Sequence, residues 1–373
     1  MADAAPGGPA LAAGFEALER GDWGDARSSF AAALAAAETP AAFEGLGAAA
    51  WWLDDAATLF EAREHAYRLY REAGDARGAG RVASALAVDY LLLRAEPAVA
   101  SGWIQRAHRL LDNLELCPEQ GMLAAYEGGM AIDVADDTVA AGAHAERAAE
   151  VGRLLGIADL EMLGLGIRGV ALVTEGAVDE GMRLLDEATA AATGGDMREP
   201  VAIGLTCCNL MYACERVRDF DRAAQWCARI KEFSARIGLR VVLSLCRVHY
   251  AWMALVRGDW DEAEEELLPL LEELVTALPA VLPDAAGCLG ELRRRQGRLA
   301  EAEEVLRPFA FHRSRRSASR RSHSTGATRQ VPPTSPSGPC APSPRTPGPS
   351  ACPPASCSSA PGPQPATSTG RAP

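Results

Sequence analysis

Along the chain, apolar residues recur three or four positions apart, the spacing of amphipathic helices, and the runs are broken at regular intervals by the same short punctuation. Its fullest version is Arg257-Gly258-Asp259-Trp260-Asp261-Glu262-Ala263-Glu264-Glu265-Glu266-Leu267. Gly258 can adopt the positive φ that stops a helix. Asp259 can accept the orphan amides that open the next one, with Glu262 three residues on as its capping partner. The stretch predicts the tight turn of a helical hairpin. Ala263 and Leu267 follow at i and i+4 on the new helix, where a small residue lets the paired helix come close.

The pattern Gly-x-aromatic-x-x-Ala-x-x-x-apolar repeats. Gly21, Trp23, Ala26 and Phe30 match it, as do, less fully, Gly176, Val178, Gly181 and Leu185; Arg218, Phe220, Ala223 and Cys227; and Gly297, Leu299, Ala302 and Leu306. Degenerate copies put further turns at Asp54, Glu96 and Asp136. Successive turns at 21, 54, 96, 136, 176, 218, 258 and 297 are then 33, 42, 40, 40, 42, 40 and 39 residues apart. Breaks between units fall at Thr39-Pro40, Ala73-Gly74-Asp75, Cys117-Pro118, Gly156, Gly194-Gly195, Gly238 and Pro279 to Pro283, each with helix-stopping chemistry.

This grammar resembles that of tetratricopeptide repeats, whose second helix opens after a Gly-Asp-aromatic turn. The Leu-Gly pair of the family's first helix stands here as Leu46-Gly47 and Leu289-Gly290. The resemblance implies an all-α, right-handed superhelical solenoid of about eight helical hairpins over residues 12–310. A disordered N-terminus is expected at 1–11 and a disordered tail at 311–373. A spacing near 40 residues exceeds the 34 usual for that family, so longer helices or linkers are expected, and a HEAT-like stack is the alternative.

Charge divides the chain at the same place. The net charge is −13, but all 50 acidic residues and 29 of the 37 Lys and Arg precede Phe311, so the body stands at −21. An acidic body argues against direct nucleic-acid contact by the helices. From Phe311 onward there are eight Arg and no acid. Lys231 is the only lysine, and the wealth of Ala, Gly, Pro and Arg suggests a GC-rich gene. Reading such a gene in a shifted frame yields Arg, Pro, Ala, Gly and Ser and erases Glu and Asp, which is the tail's composition. Two readings of the tail stand: a frame-shifted translation, or a basic disordered segment that binds nucleic acid or an acidic surface. Met1 to Leu11 shows no basic segment followed by an apolar run, and Pro200 to Cys214, the longest charge-free apolar stretch, is too short to cross a bilayer. A cytoplasmic protein without membrane contact is expected.

Candidate chemistry adds little to this frame. Gly164-Leu165-Gly166-Ile167-Arg168-Gly169 has the spacing of a dinucleotide fingerprint but follows no strand, so the glycines read as small packing positions. Cys207, Cys208, Cys214, Cys227 and Cys246 crowd one region without CxxC spacing and read as buried structural thiols. The histidines have no partners in register for metal binding or nucleophilic catalysis. No cofactor, no metal and no enzymatic activity are expected. Carrying the repeat register across the chain places Tyr90, Met130, Tyr212 and Trp252 at equivalent positions facing the inner groove, with Tyr126 on the same surface. There they either grip a peptide or small ligand or pack between helices.

Several strings go beyond repeat grammar: Trp51-Trp52-Leu53, Tyr67-Arg68-Leu69-Tyr70-Arg71-Glu72-Ala73-Gly74-Asp75, Glu96-Pro97-Ala98-Val99-Ala100, Gly181-Met182-Arg183-Leu184-Leu185-Asp186-Glu187-Ala188, Ala213-Cys214-Glu215-Arg216-Val217-Arg218-Asp219, and Gly290-Glu291-Leu292-Arg293-Arg294-Arg295-Gln296-Gly297-Arg298. Over about residues 12–307 the chain resembles the helical-repeat region of LuxR-type transcriptional regulators. The resemblance implies a protein-interaction or signal-sensing module with a protein, peptide or small-molecule signal in its groove. In that family DNA is read by a separate C-terminal helix-turn-helix domain that has no counterpart here, so this chain itself is not expected to touch DNA. A self-standing scaffold that binds another protein is the alternative.

Overall fold

Helix-stopping residues set the architecture. The computed structural model describes residues 8–53, 55–237, 244–277 and 281–309, and every regular element among them is helical. Helix α1 (Gly8–Arg20) pairs with α2 (Trp23–Ala36), α3 (Pro40–Trp52) with α4 (Ala56–Glu72), α5 (Ala76–Arg94) with α6 (Pro97–Leu111), and α7 (Pro118–Met130) with α8 (Thr138–Leu155). Next, α9 (Ala158–Glu175) pairs with α10 (Val178–Gly194), α11 (Pro200–Val217) with α12 (Phe220–Ile237), α13 (Ser244–Arg257) with α14 (Trp260–Ala277), and α15 (Leu282–Arg295) with α16 (Leu299–Leu306). A π-helical turn, Ala131–Ala135, prolongs α7, and a 3-10 turn, Arg307–Phe309, follows α16. Consecutive helices pack together throughout, which makes the described array an α-solenoid.

Within the hairpins, left-handed backbone occurs at Gly21, Ala95, Asp136, Gly176, Arg218, Gly258 and Gly297. Six of these coincide with turn positions expected from the sequence; the remaining one comes a residue early, at Ala95 rather than Glu96. The Glu96 amide donates back to the Tyr90 carbonyl at 3.0 Å, and Glu96 becomes the N-cap residue of α6. The expected turn at Asp54, the breaks at Gly238 and Pro279, and residues 1–7 and 310–373, on which the expectation of disordered ends falls, lie outside the described residues. The long repeat is carried by long helices, 19 residues in α5 and 18 in each of α8, α9 and α11. At the founding turn, the Asp259 amide donates to Ala254 at 3.0 Å, while the Asp259 carboxylate pairs with Arg257. Glu262, expected to assist the cap, is occupied by the Tyr250 hydroxyl at 2.5 Å.

Curvature follows from which helices touch. First helices pack on the next first helix, as in α5 on α7, α7 on α9, α9 on α11, α11 on α13 and α13 on α15; among second helices, α10 and α12 make such a contact. The layer whose members lie closer together is the inner side of a curved stack, so the first helices form the concave wall. The supposed nucleotide fingerprint lies inside α9 and serves packing: a Cβ on Gly164 would fall 2.7 Å from the Ala145 carbonyl, and one on Gly169 would fall 2.8 Å from the Gly181 carbonyl.

Four apolar clusters fill the array. One joins α1, α2 and α3; a second runs from α3 to α7, a third from α7 to α13, and a fourth from α13 to α15. Two contacts leave this neighbour-to-neighbour order. Trp23 and Trp52, stacked at 4.8 Å, both pack on the α7–α13 cluster, and Leu92 and Leu93 at the end of α5 pack on the α13–α15 cluster. At the far end α16 spans eight residues, with Leu299 63% and Leu306 40% exposed.

Candidate ligand-binding groove

The five side chains singled out from the repeat register sit on α5, α7, α11 and α13, all members of the inner layer. Tyr90 on α5 is buried, its ring 4.7 Å from Phe60, its hydroxyl donating to Glu64 at 3.0 Å and the Arg94 guanidinium 5.1 Å from its centroid. For Tyr90, packing between helices is what the structure records. Tyr126 and Met130 on α7, Tyr212 on α11 and Trp252 on α13 are all half-buried. Met130 rests on the α3–α7 cluster, Tyr212 on the α7–α13 cluster and Trp252 on the α13–α15 cluster, each ring or thioether keeping one face on the core.

Tyr126 lies in a polar neighbourhood that repeat spacing does not reveal. Arg63 of α4 pairs with Asp89 of α5, which is 1% exposed. Burial pushes the Asp89 carboxyl up to about 6 against the opposing pull of Arg63 and Trp51. The Tyr126 phenol is raised by burial and by Glu199, with Arg63 opposing. Glu199 caps α11 by accepting the Ala202 amide at 2.6 Å, and burial raises its carboxyl. Asp159 of α9 fixes this junction by accepting the Arg198 and Glu199 amides, each at 2.8 Å. Arg63 of α4, Asp89 of α5, Tyr126 of α7 and Glu199, the N-cap residue of α11, thus bear on one another's ionisation.

A second group forms around Tyr212. Its ring meets His249 edge-on at 5.7 Å between centroids, and His249 Nδ1 lies 2.5 Å from a Glu215 carboxylate oxygen. Burial raises the Tyr212 phenol, helped by Asp133 and Asp136 on the turn after α7, while Arg216 opposes. Nearer the N-terminal end, Arg81 bridges Glu44 of α3 at 2.6 Å and Glu119 of α7 at 3.1 Å, a clamp across three first helices.

Among the described residues no three His, Cys, Asp or Glu side chains are arranged to hold a metal ion, and no helix is long and apolar enough to cross a membrane. On the opposite, second-helix layer an open groove of about 1070 Å³ separates α10 from α12, lined in part by Asp186, Asp219, Asp221, Arg222 and Trp226. The Trp226 indole donates across it to Asp186 at 2.9 Å. The chain matches no protein-family model and no curated protein.

Proposed function

We propose that the array is a non-enzymatic, tetratricopeptide-like interaction or signal-sensing module, of the kind that LuxR-type regulators carry ahead of their DNA-reading domain. It takes a protein segment, a peptide or a small-molecule signal on its inner face. The observation that carries this reading is the placement of Tyr126, Met130, Tyr212 and Trp252, large amphipathic side chains left half-buried on one layer of first helices. Half-buried aromatic rings resting on a core supply contact area at low entropic cost, and the adjoining guanidinium and carboxyl groups add hydrogen-bonding direction. DNA recognition is assigned to no residue of the array, whose body carries a strong negative charge.

The test is selection of linear peptides on the purified protein, followed by affinity measurement on the best binder. Tyr212→Ala and Trp252→Ala are each expected to weaken it tenfold or more with the far-UV circular dichroism unchanged. Equal affinity in both variants, or tight duplex-DNA binding by the array with a steep salt dependence, overturns the proposal.

A further inference from the structure

The crowded cysteines are not equivalent. None of the seven described thiols is in a disulfide, and all are buried. Yet Cys208 on α11 and Cys246 on α13, 38 residues apart in sequence, bring their sulfurs to 3.0 Å. That is inside the usual contact distance of two non-bonded sulfurs, and a disulfide requires about 2.05 Å. An approach of roughly 1 Å separates the thiol pair from a covalent bond. Cys246 lies in the first turn of α13, where helix ends fray most readily, and both residues belong to the α7–α13 cluster.

We propose that Cys208 and Cys246 form an oxidation site, closing to a disulfide with a small hydroperoxide as the oxidant and thereby tying α11 to α13. In the first step one sulfur attacks the peroxide, the O–O bond breaks, and a sulfenic acid and one water are produced. In the second the neighbouring thiol attacks that sulfenic sulfur, the S–S bond forms, and a second water leaves. Two electrons and two protons pass from the thiol pair to one hydrogen peroxide. Burial raises the Cys246 thiol, so the reaction is slow at neutral pH and depends on brief opening of the helix end. The consequence falls on the inner wall, because Tyr212 is one turn beyond Cys208 and His249 one turn beyond Cys246, and their rings already touch. A bond between the helices fixes that pair in place. The proposal stands whether or not the groove takes a ligand.

The experiment uses the full chain, reduced and then exposed to hydrogen peroxide, alkylated without reductant and mapped by mass spectrometry. The expected product is a peptide pair joined through Cys208 and Cys246, lighter by two hydrogens, reversed by dithiothreitol and accompanied by a rise of a few degrees in the melting temperature. Cys208→Ser and Cys246→Ser should each abolish the linked peptide, whereas Cys214→Ser should retain it. Mapping the wild-type chain needs no variant to fold, so the inference remains testable if a substitution disrupts the core. A different linked pair, sulfinic acid at either position without a cross-link, or two intact thiols after unfolding-free oxidation overturns it.

Discussion

The stretch from α8 to α10 and the stretch from α13 to α15 use the same turn chemistry and pack by opposite means. In the first, backbone meets backbone: a Cβ on Gly152 would fall 2.4 Å from the Glu161 amide nitrogen, and one on Gly181 would fall 2.5 Å from the Gly169 carbonyl oxygen. In the second, Leu255, Leu267, Leu270, Leu274 and Leu292 fill the space between helices, each with no exposed surface. A clamp closes the edge, where Arg293 donates to both Glu264 oxygens at 2.6 Å. Turn grammar decides which helices pair; side-chain volume at the crossing decides how near they come. The glycine-packed stretch has no room for an added carbon, and the leucine-packed one cannot lose one.

Breaking this contrast is straightforward. Leu267→Ala, in the leucine-packed stretch, is expected to cost about 2–5 kcal/mol in thermal unfolding, with hydrogen-exchange protection lost in α13 to α15 and kept in α8 to α10. Gly181→Ala should cost roughly 1–3 kcal/mol, although Ala exceeds Gly in helix propensity by about 1 kcal/mol. A gain in stability there would mean that the helices are not held at backbone contact. Ala263→Leu should cost a similar roughly 1–3 kcal/mol, because the position five residues after the turn glycine is fully buried even in the leucine-packed stretch.

Acid sharpens the comparison further. Hydrogen bonds from Arg293 hold the Glu264 carboxyl down to about 2, and those from Arg294 hold Glu291 down to about 2. A carboxyl depressed in the folded state stabilises the fold above its unfolded pKa and loses that contribution as pH falls toward the folded value. Between about pH 4.5 and 2, amide protection in α13 to α15 should therefore fall more steeply than in α8 to α10; parallel curves would sink the assignment. The smallest effect is expected at a turn. Ala95→Gly should stabilise by up to about 1 kcal/mol, since Ala95 holds a φ of 53° that glycine adopts freely.

Much of this was readable in advance because it is local. Gly21, Gly176, Gly258 and Gly297 each announce a turn by the backbone they permit, and Arg218 was located by the Phe220, Ala223 and Cys227 that follow it and by the repeat period, since no arginine advertises a left-handed φ. Gly169 was rightly a packing position, while its partner, the Gly181 carbonyl, had no signal beyond being in the next helix. The inner wall was less legible. Register put Tyr90 beside Tyr212 as a groove residue, but Phe60 and Glu64 of the preceding helix bury it. The Arg63–Asp89 pair, the His249–Glu215 contact and the meeting of Cys208 with Cys246 join different helices at separations that carry no periodicity. Only packing in three dimensions brings them together.

The Trp23–Trp52 stack and the Leu92–Leu93 step bear on how the molecule assembles. A stack in which each unit meets only its neighbours can zip up from any point and fray from either end. Here early units touch late ones, so part of the folding reward is withheld until a long stretch of chain has come around and its loop-closure entropy has been met. The third hairpin and the α13–α15 segment are thereby made mutual guarantors, and pulling on one should loosen the other.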